Sequence, residues 1–411
     1  MKSTKALTSS ESSSSSSSSS FDRDWAWLPQ NLLFMVLNKL FLLSDMIGFA
    51  SVCSHWRSVA KCRFEELNLR ANMHFTRKLP MLLVPSTENN DCIRNLYSIT
   101  DTKIYDLRLP VPHTKRYCGS SRGWLIILDN KSFEVTLVNP FYFGHMQGSI
   151  QLPPFIAAQD ASEEAGENFH LEYFVSKAIL STDPIASPND YALMLIYGEM
   201  RMLGLWKSGD THWTYINWPI LIFSDLIYSN GQFLAVNNFG QIYSCDIVSK
   251  PPTFSAVYGP HLDIPGGNCR RYIVELPDRT IVQVIRVLRT CVCNKDVPLF
   301  YTAGFVLFTL QDHNGTKNWL PVDTLRDGAL FLGDNYSMYV VASQFPGCRP
   351  NSVYFTDDVQ DADMKLLISH QFTCRREIGI YHLDNYMIER IECPLPKESR
   401  LPPPIWITPT I

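Results

Sequence analysis

The sequence predicts an α+β multidomain protein, in which a small three-helix module precedes an all-β propeller of six to eight blades. Three observations predict this class. The chain has 411 residues, more than one core of about 150 residues uses. Apolar residues recur with a helical period before residue 71. Beyond residue 80, short runs of β-branched and aromatic residues alternate with turn residues.

Composition and charge exclude several classes of protein. Hydrophobic residues make up 45% and charged residues 18% of the chain, which is ordinary for a globular protein. The formal net charge is -4, with 36 Lys and Arg against 40 Asp and Glu and no long block of one sign. Because phosphate groups and anionic lipids attract clustered Lys and Arg, we expect no nucleic-acid partner and no membrane partner.

The N-terminal residues lack the pattern of a secretory signal, which has an apolar core of about 7 to 15 residues. The apolar stretch at residues 32–43 contains Asn38 and Lys39 and is shorter than the ~20 residues of a membrane span. The 11 scattered cysteines are an odd number and fit reduced thiols, most of them small buried hydrophobes. We therefore expect the protein in the nucleus or the cytoplasm.

Residues 1–23 are predicted to form a disordered tail, because the serine run at residues 12–20 offers no apolar side chain to bury. Burial is what offsets the entropy cost of ordering a chain. An inert spacer and a phosphorylated segment are both open interpretations of this tail.

Residues 24–71 are predicted to form three short helices, the first of which is opened by Pro29. The second helix has Ser44 as its N-cap and continues through Cys53, and the third carries Trp56. A module of about 45 residues has too small a core to be stable alone, so it needs a partner chain or a neighbouring domain. The apolar face of the first helix comprises residues at helical spacing: Leu32, Leu33, Val36, Leu37 and Leu40.

Residues 80–411 are predicted to form antiparallel strands that are separated by turns such as Asn230-Gly231. At roughly 40 to 50 residues per four-stranded blade, about 330 residues correspond to six to eight blades of a closed propeller. Three tryptophans that follow polar turns, Trp124, Trp213 and Trp319, are predicted to belong to blade cores. The predicted strands are residues 124–128, 133–138, 191–197, 232–236, 242–245, 272–276, 280–288, 305–310 and 352–355.

The N-terminal module contains an ordered set of short motifs. Residues 27–40 read WLPQNLLFMVLNKL, a Leu-Pro pair followed by a leucine-rich helix. Ser44-Asp45, Val52-Cys53 and Trp56-Arg57 follow in that order. This set resembles the F-box, and the resemblance implies docking to a Skp1-like adaptor and, through it, to a cullin.

The remainder of the chain contains a second ordered set of short motifs. They are GSSRGWL (119–125), LVNP (137–140), LPP (152–154), DLIYSNGQF (225–233), Trp319, ALFLG (329–333), FPGCRPN (345–351), VYFTDD (353–358) and IGIY (378–381). This set resembles the KIB or DUF295 β-propeller that accompanies the F-box in plant proteins. The resemblance implies that the propeller holds a target protein, so that the chain is the substrate-recognition subunit of an SCF-type ubiquitin ligase, non-catalytic and without a cofactor.

Six residues are predicted to form the adaptor-binding strip: Leu28, Pro29, Leu32, Val36, Val52 and Trp56. The first four are apolar residues of a unit that is too small to cover them, so the hydrophobic groove of an adaptor is their expected cover, and the last two extend the strip. The alternative is that the strip packs against the propeller.

The sequence predicts no catalytic residue and no metal site. Zinc-protease, P-loop and Rossmann motifs are all missing from it, and Cys291-Val-Cys293 lacks a second pair of zinc ligands. Asp357-Asp358, with Asp361 and Asp363, lacks the spacing of a calcium loop and is predicted to lie in an acidic surface loop.

Two other functions compete with substrate recruitment. One is a non-degradative binding protein whose propeller blocks a partner such as a kinase. The other is a hydrolase that uses a polar central channel, although a propeller fold alone does not imply any activity.

Overall fold

The computed structural model divides the chain into two compact units, Met1–Glu66 and Leu67–Ile411. It describes residues 25–37, 48–61, 79–85, 93–100, 102–109, 117–129, 132–141, 148–155, 174–198, 200–216, 221–249, 252–258, 268–292, 298–313, 316–358, 377–393 and 403–409. The predicted tail at residues 1–23, the predicted N-cap Ser44, and Asp361 and Asp363 lie outside these ranges. No helix within the ranges is long and apolar enough to cross a membrane.

The N-terminal unit is a cluster of short helices. A 3-10 turn at Trp25–Trp27 precedes helix α1, Gln30–Leu37, and residues 48–51 and 54–61 are also helical. Helix α1 begins after Pro29, whose carbonyl accepts the N–H groups of Leu32 and Leu33 at 3.0 and 3.1 Å. The small core of this unit consists of buried apolar side chains: Leu33, Leu37, Phe49, Ala50, Val59 and Ala60.

The second unit is a propeller of six blades, which confirms the predicted architecture and fixes the blade number at the lower end of the predicted range. Blade one contains β1 (Met81–Pro85), β2 (Ile93–Tyr97), β3 (Ile104–Arg108) and β25 (Ile405–Ile407). Blade two contains β4 (Tyr117–Ser121), β5 (Trp124–Leu128), β6 (Val135–Val138) and β7 (Ser149–Leu152). Blade three contains β8 (Val175–Leu180), β9 (Ala192–Tyr197), β10 (Met202–Lys207) and β11 (Thr214–Ile216).

The other three blades follow in chain order. Blade four contains β12 (Phe223–Ser229), β13 (Gln232–Asn237), β14 (Ile242–Asp246) and β15 (Thr253–Tyr258). Blade five contains β16 (Cys269–Glu275), β17 (Ile281–Val292), β18 (Pro298–His313) and β19 (Thr316–Pro321). Blade six has five strands: β20 (Gly328–Leu332), β21 (Met338–Val341), β22 (Ser352–Phe355), β23 (Gly379–His382) and β24 (Ile388–Arg390). The predicted antiparallel pairing is wrong for β20 and β22, which pair in parallel.

Strand β25 closes the ring. It pairs antiparallel with β1, with Met81 opposite Ile407 and Leu83 opposite Ile405, so one blade joins strands from both ends of the domain. Closure protects the sheet edges that an open array of strands would expose. Successive blades meet through their inner strands, in the order β25, β4, β8, β12, β16 and β21.

Large apolar side chains fill the spaces between blades. Trp124 and Trp213 are buried in one cluster with Phe155, between blades two and three. Trp319 is half-buried against a cluster in blades four and five. The predicted role in blade cores is confirmed for Trp124 and Trp213, whereas Trp319 packs at the side of a core cluster. The turn at Asn230-Gly231 has positive φ at both residues, 49° and 80°, as a two-residue hairpin turn requires.

Candidate functional site

The segment that enters helix α1 is fixed by the third helical stretch. The Trp56 indole N–H donates to the Trp25 carbonyl at 3.0 Å, and the Cys53 thiol donates to the Ala26 carbonyl at 3.6 Å. His55 Nε2 lies 3.0 Å from the Leu28 carbonyl oxygen. Three neighbouring side chains therefore hold the backbone of residues 25–28, so the Leu-Pro pair has a defined position at the helix start.

Helix α1 has two apolar faces. Leu33 and Leu37 are buried in the core of the unit, whereas Leu32 and Val36 are 43% and 40% exposed. Both pairs have the i, i+4 spacing that places side chains on one face. Among the residues that the structure describes in this unit, the face of Leu33 and Leu37 is covered and the face of Leu32 and Val36 keeps apolar area exposed.

The six predicted adaptor-binding residues do not share one environment. Pro29, Leu32, Val36 and Val52 are exposed, Val52 by 54% of its surface, and Leu28 is half-buried. Trp56 is also half-buried, and its ring lies 4.6 Å from the ring of the buried Phe49. Trp56 therefore contacts the core of the unit, unlike the exposed residues of the predicted strip. The exposed apolar residues Trp25, Trp27 and Met35 were missed by the predicted strip.

In the propeller, residues 333–337, here called the central segment, link the inner strands. The Tyr336 N–H donates to the Ser120 carbonyl on β4 at 2.7 Å, and the Tyr336 hydroxyl donates to the Tyr228 carbonyl on β12 at 3.2 Å. Lys177 Nζ on β8 donates to the Gly333 carbonyl at 3.3 Å. One segment of blade six thus ties blades two, three and four together at the centre of the ring.

A buried ion pair supports the central segment. Lys177 and Asp225, both almost fully buried, form a salt bridge between blades three and four. Ser337 Oγ donates to Asp225 Oδ2 at 2.7 Å and accepts from Lys177 Nζ at 3.1 Å. The Ile273 N–H donates to the same carboxylate at 3.0 Å, which adds blade five to the network. Buried charges are tolerated where they are paired in this way.

A second buried network joins blades five and six. The Asp358 carboxylate accepts hydrogen bonds from Arg286 at 2.9 Å and from the Tyr272 hydroxyl at 2.9 and 3.0 Å. It also forms a salt bridge with Arg270, whose Nε lies 3.1 Å from Asp358 Oδ2. The prediction of a surface loop is therefore wrong for Asp358, which is 1% exposed. The reason is the register of β16 and β17, which places Arg270 directly opposite Arg286. Two buried guanidinium groups side by side need a carboxylate between them.

Burial and charge determine the protonation of this network. Burial raises the pKa of Tyr272 far above its ordinary value, and the neighbouring Asp358 carboxylate raises it further. Burial by itself lowers the pKa of Arg286, but Tyr272 and Asp358 outweigh it and raise the pKa above its ordinary value. The tyrosine therefore stays neutral and the guanidinium stays charged. In these states, the ion pairs and hydrogen bonds of the network hold blades five and six together.

Three cysteines of the propeller are poor nucleophiles. Burial is the largest cause that raises the pKa of Cys245 to about 12, of Cys348 to about 11 and of Cys393 to about 12. Since the thiolate is the reactive form, these side chains act as small apolar groups. Among the residues that the structure describes, no cluster of three or more His, Cys, Asp and Glu could hold a metal ion.

Comparison with known proteins identifies the family to which this propeller belongs. The sequence model of a family described as "KIB1-4 beta-propeller" matches residues 96–382. The F-box protein SKIP23 of Arabidopsis thaliana is 25% identical over 416 residues, which cover 94% of this chain and 96% of that protein. F-box protein At2g26160 of the same plant is 25% identical over 358 residues, 84% of this chain and 98% of that protein. The chain belongs to the KIB1-4 β-propeller family, as its sequence predicts.

Proposed function

We propose that this protein is the substrate-recognition subunit of an SCF-type ubiquitin ligase. Residues 24–71 dock a Skp1-like adaptor and, through it, a cullin, and the propeller in residues 80–411 binds the target protein. The chain itself is a non-catalytic adaptor, which acts in the nucleus or the cytoplasm. The observation that carries this proposal is the exposed apolar face of α1, in a chain whose relatives are named F-box proteins.

The physical case rests on the second face of α1. Leu32 and Val36 expose apolar area beside Pro29, although Leu33 and Leu37 already supply the core contacts of the helix. An amphipathic helix that leaves an apolar row uncovered is the usual ligand of a hydrophobic groove. Ubiquitin transfer then needs no catalytic group in this chain, because holding target and ligase together raises their effective concentration.

The first prediction concerns adaptor docking. In the full-length chain, Leu32→Asp combined with Val36→Asp is expected to weaken binding of a Skp1-like adaptor by at least about tenfold, since two charges would be buried in an apolar groove. The affinity is measured by isothermal titration calorimetry with purified adaptor.

The matched control is Val248→Asp combined with Tyr386→Asp, which places two carboxylates at exposed apolar positions of the propeller. This variant is expected to bind the adaptor as tightly as the wild type. Equal affinities of the wild type and the α1 variant would contradict docking through this face.

A second prediction separates recruitment for degradation from blockade of a partner such as a kinase. Proximity labelling with the Leu32→Asp, Val36→Asp variant is expected to enrich target proteins, because they are held by the propeller but not ubiquitinated. Their half-lives in cells are expected to be longer with this variant than with the wild type. Half-lives that do not differ between the two would support the non-degradative function instead.

A further inference from the structure

Trp27 is the most exposed aromatic side chain of the described N-terminal residues. It keeps 74% of its surface in contact with solvent. Its ring is nonetheless held in place, because it stacks on the His55 imidazole with ring centroids 5.7 Å apart and planes 24° from parallel. An aromatic ring that is fixed and yet uncovered has lost conformational freedom without burying its apolar area.

His55 contacts two consecutive residues at once. Its Nε2 lies 3.0 Å from the Leu28 carbonyl oxygen while its ring supports Trp27. Leu28 and Pro29 belong to the proposed docking strip, and Trp27 directly precedes them. One imidazole therefore fixes the backbone of the strip and the orientation of the indole beside it.

We propose that Trp27 is an anchor of the adaptor-docking surface and that His55 is its positioning residue. This inference rests on the proposed function, and its occupant is the same Skp1-like adaptor, because Trp27 continues the strip of Leu28 and Pro29. Tryptophan is enriched among the few side chains that carry most of the binding free energy of an interface. Pre-organisation by His55 reduces the ordering cost that such a side chain otherwise pays on binding.

The test is a double-mutant cycle on the full-length chain, with adaptor affinity measured by calorimetry. Trp27→Ala is expected to weaken binding by about tenfold or more. His55→Ala is expected to weaken it by about fivefold, through a Trp27 side chain that is no longer held. The double variant is expected to lose clearly less affinity than the two single losses combined, because His55 acts partly through the same ring and partly through the Leu28 carbonyl.

One further variant and one further measurement test whether the loss of affinity is specific to the Trp27 ring. Trp27→Phe retains a ring that can stack on His55 and is expected to recover most of the affinity that Trp27→Ala loses. Thermal unfolding of Trp27→Ala is expected to match the wild type, since the side chain is largely exposed. A changed melting temperature of this variant would mean that Trp27 supports the fold and would overturn the proposed role.

The outcomes distinguish this inference from the function on which it rests. Wild-type chain that does not bind the adaptor overturns both. A second outcome overturns only the role of Trp27. In it, the wild type binds the adaptor and Leu32→Asp with Val36→Asp abolishes this binding, but Trp27→Ala changes the affinity by less than about twofold. Additive losses in the cycle overturn the positioning role of His55.

Discussion

Replacing Arg286 with methionine is expected to lower the free energy of unfolding of the propeller by about 3 to 5 kcal/mol. Arg286 is fully buried and bonds Asp358 at 2.9 Å and the Thr356 carbonyl at 2.8 Å. Its guanidinium also lies 4.7 Å from the centre of the Phe355 ring. Methionine keeps most of the apolar volume of the arginine side chain but leaves the buried Asp358 carboxylate with one cation fewer. This uncompensated charge is the main cause of the expected loss of stability.

The size of this effect is measured by urea unfolding of the full-length chain, monitored by fluorescence of the propeller tryptophans. Arg279→Met is the matched control, because Arg279 pairs with Glu275 at 2.9 Å while 61% of its side chain is exposed. Solvent screens that pair, so its loss is expected to cost less than about 1 kcal/mol. Similar losses for the two variants would show that the buried network does not stabilise the ring.

Replacing Gly119 with alanine is the second change with a large expected effect. A Cβ atom at this position on β4 would lie 2.0 Å from the carbonyl oxygen of Ala178 on β8. Because the obstacle is backbone, no side-chain rotation relieves the contact, and the inner strands of two blades must move apart. The expected loss is about 3 kcal/mol or more, the upper range for overpacking a core.

Gly48→Ala is the control for this substitution. Gly48 lies in a helical stretch, and a Cβ atom there has no neighbour within 4 Å. The same added methyl group is expected to leave stability unchanged or to raise it by up to about 1 kcal/mol, since alanine favours helix. A Gly119→Ala propeller that unfolds at the urea concentration of the wild type would contradict the close approach of β4 and β8.

Local pattern predicted some strands, although others, such as β1 and β8, were missed and β18 is longer than its predicted run. The predicted runs at residues 124–128 and 352–355 coincide with β5 and β22. In both runs, β-branched and aromatic residues indicate a strand, and the flanking turn residues indicate where it begins and ends. Ring closure by β25 was not predicted. A strand of three residues, Ile405–Ile407, has no period to detect, and its partner β1 lies at the opposite end of the domain.

The same limit applies to the candidate site: local sequence patterns predicted its apolar residues, but not the contacts between residues far apart in the chain. Helical spacing identified Leu32, Leu33, Val36 and Leu37 as apolar but could not tell which pair faces the core, because that depends on where the other helices pack. Asp358 was misplaced for a related reason. Its partner Arg286 is 72 residues away in sequence, so no local pattern reveals the pair. The signal lay in two arginines at facing positions of adjacent strands, which becomes visible once their register is known.

The pairing of β25 with β1 has a consequence for synthesis of the protein. Residues 405–407 leave the ribosome long after the helical unit of residues 1–66, so the ring stays open while most of the chain is already available to fold. A product that terminates early, before residue 405, keeps the apolar face of α1 and loses the strand that joins the two ends of the ring. Under the proposed function, we expect such a fragment to bind the adaptor without a closed propeller for the target, and so to compete with the intact protein.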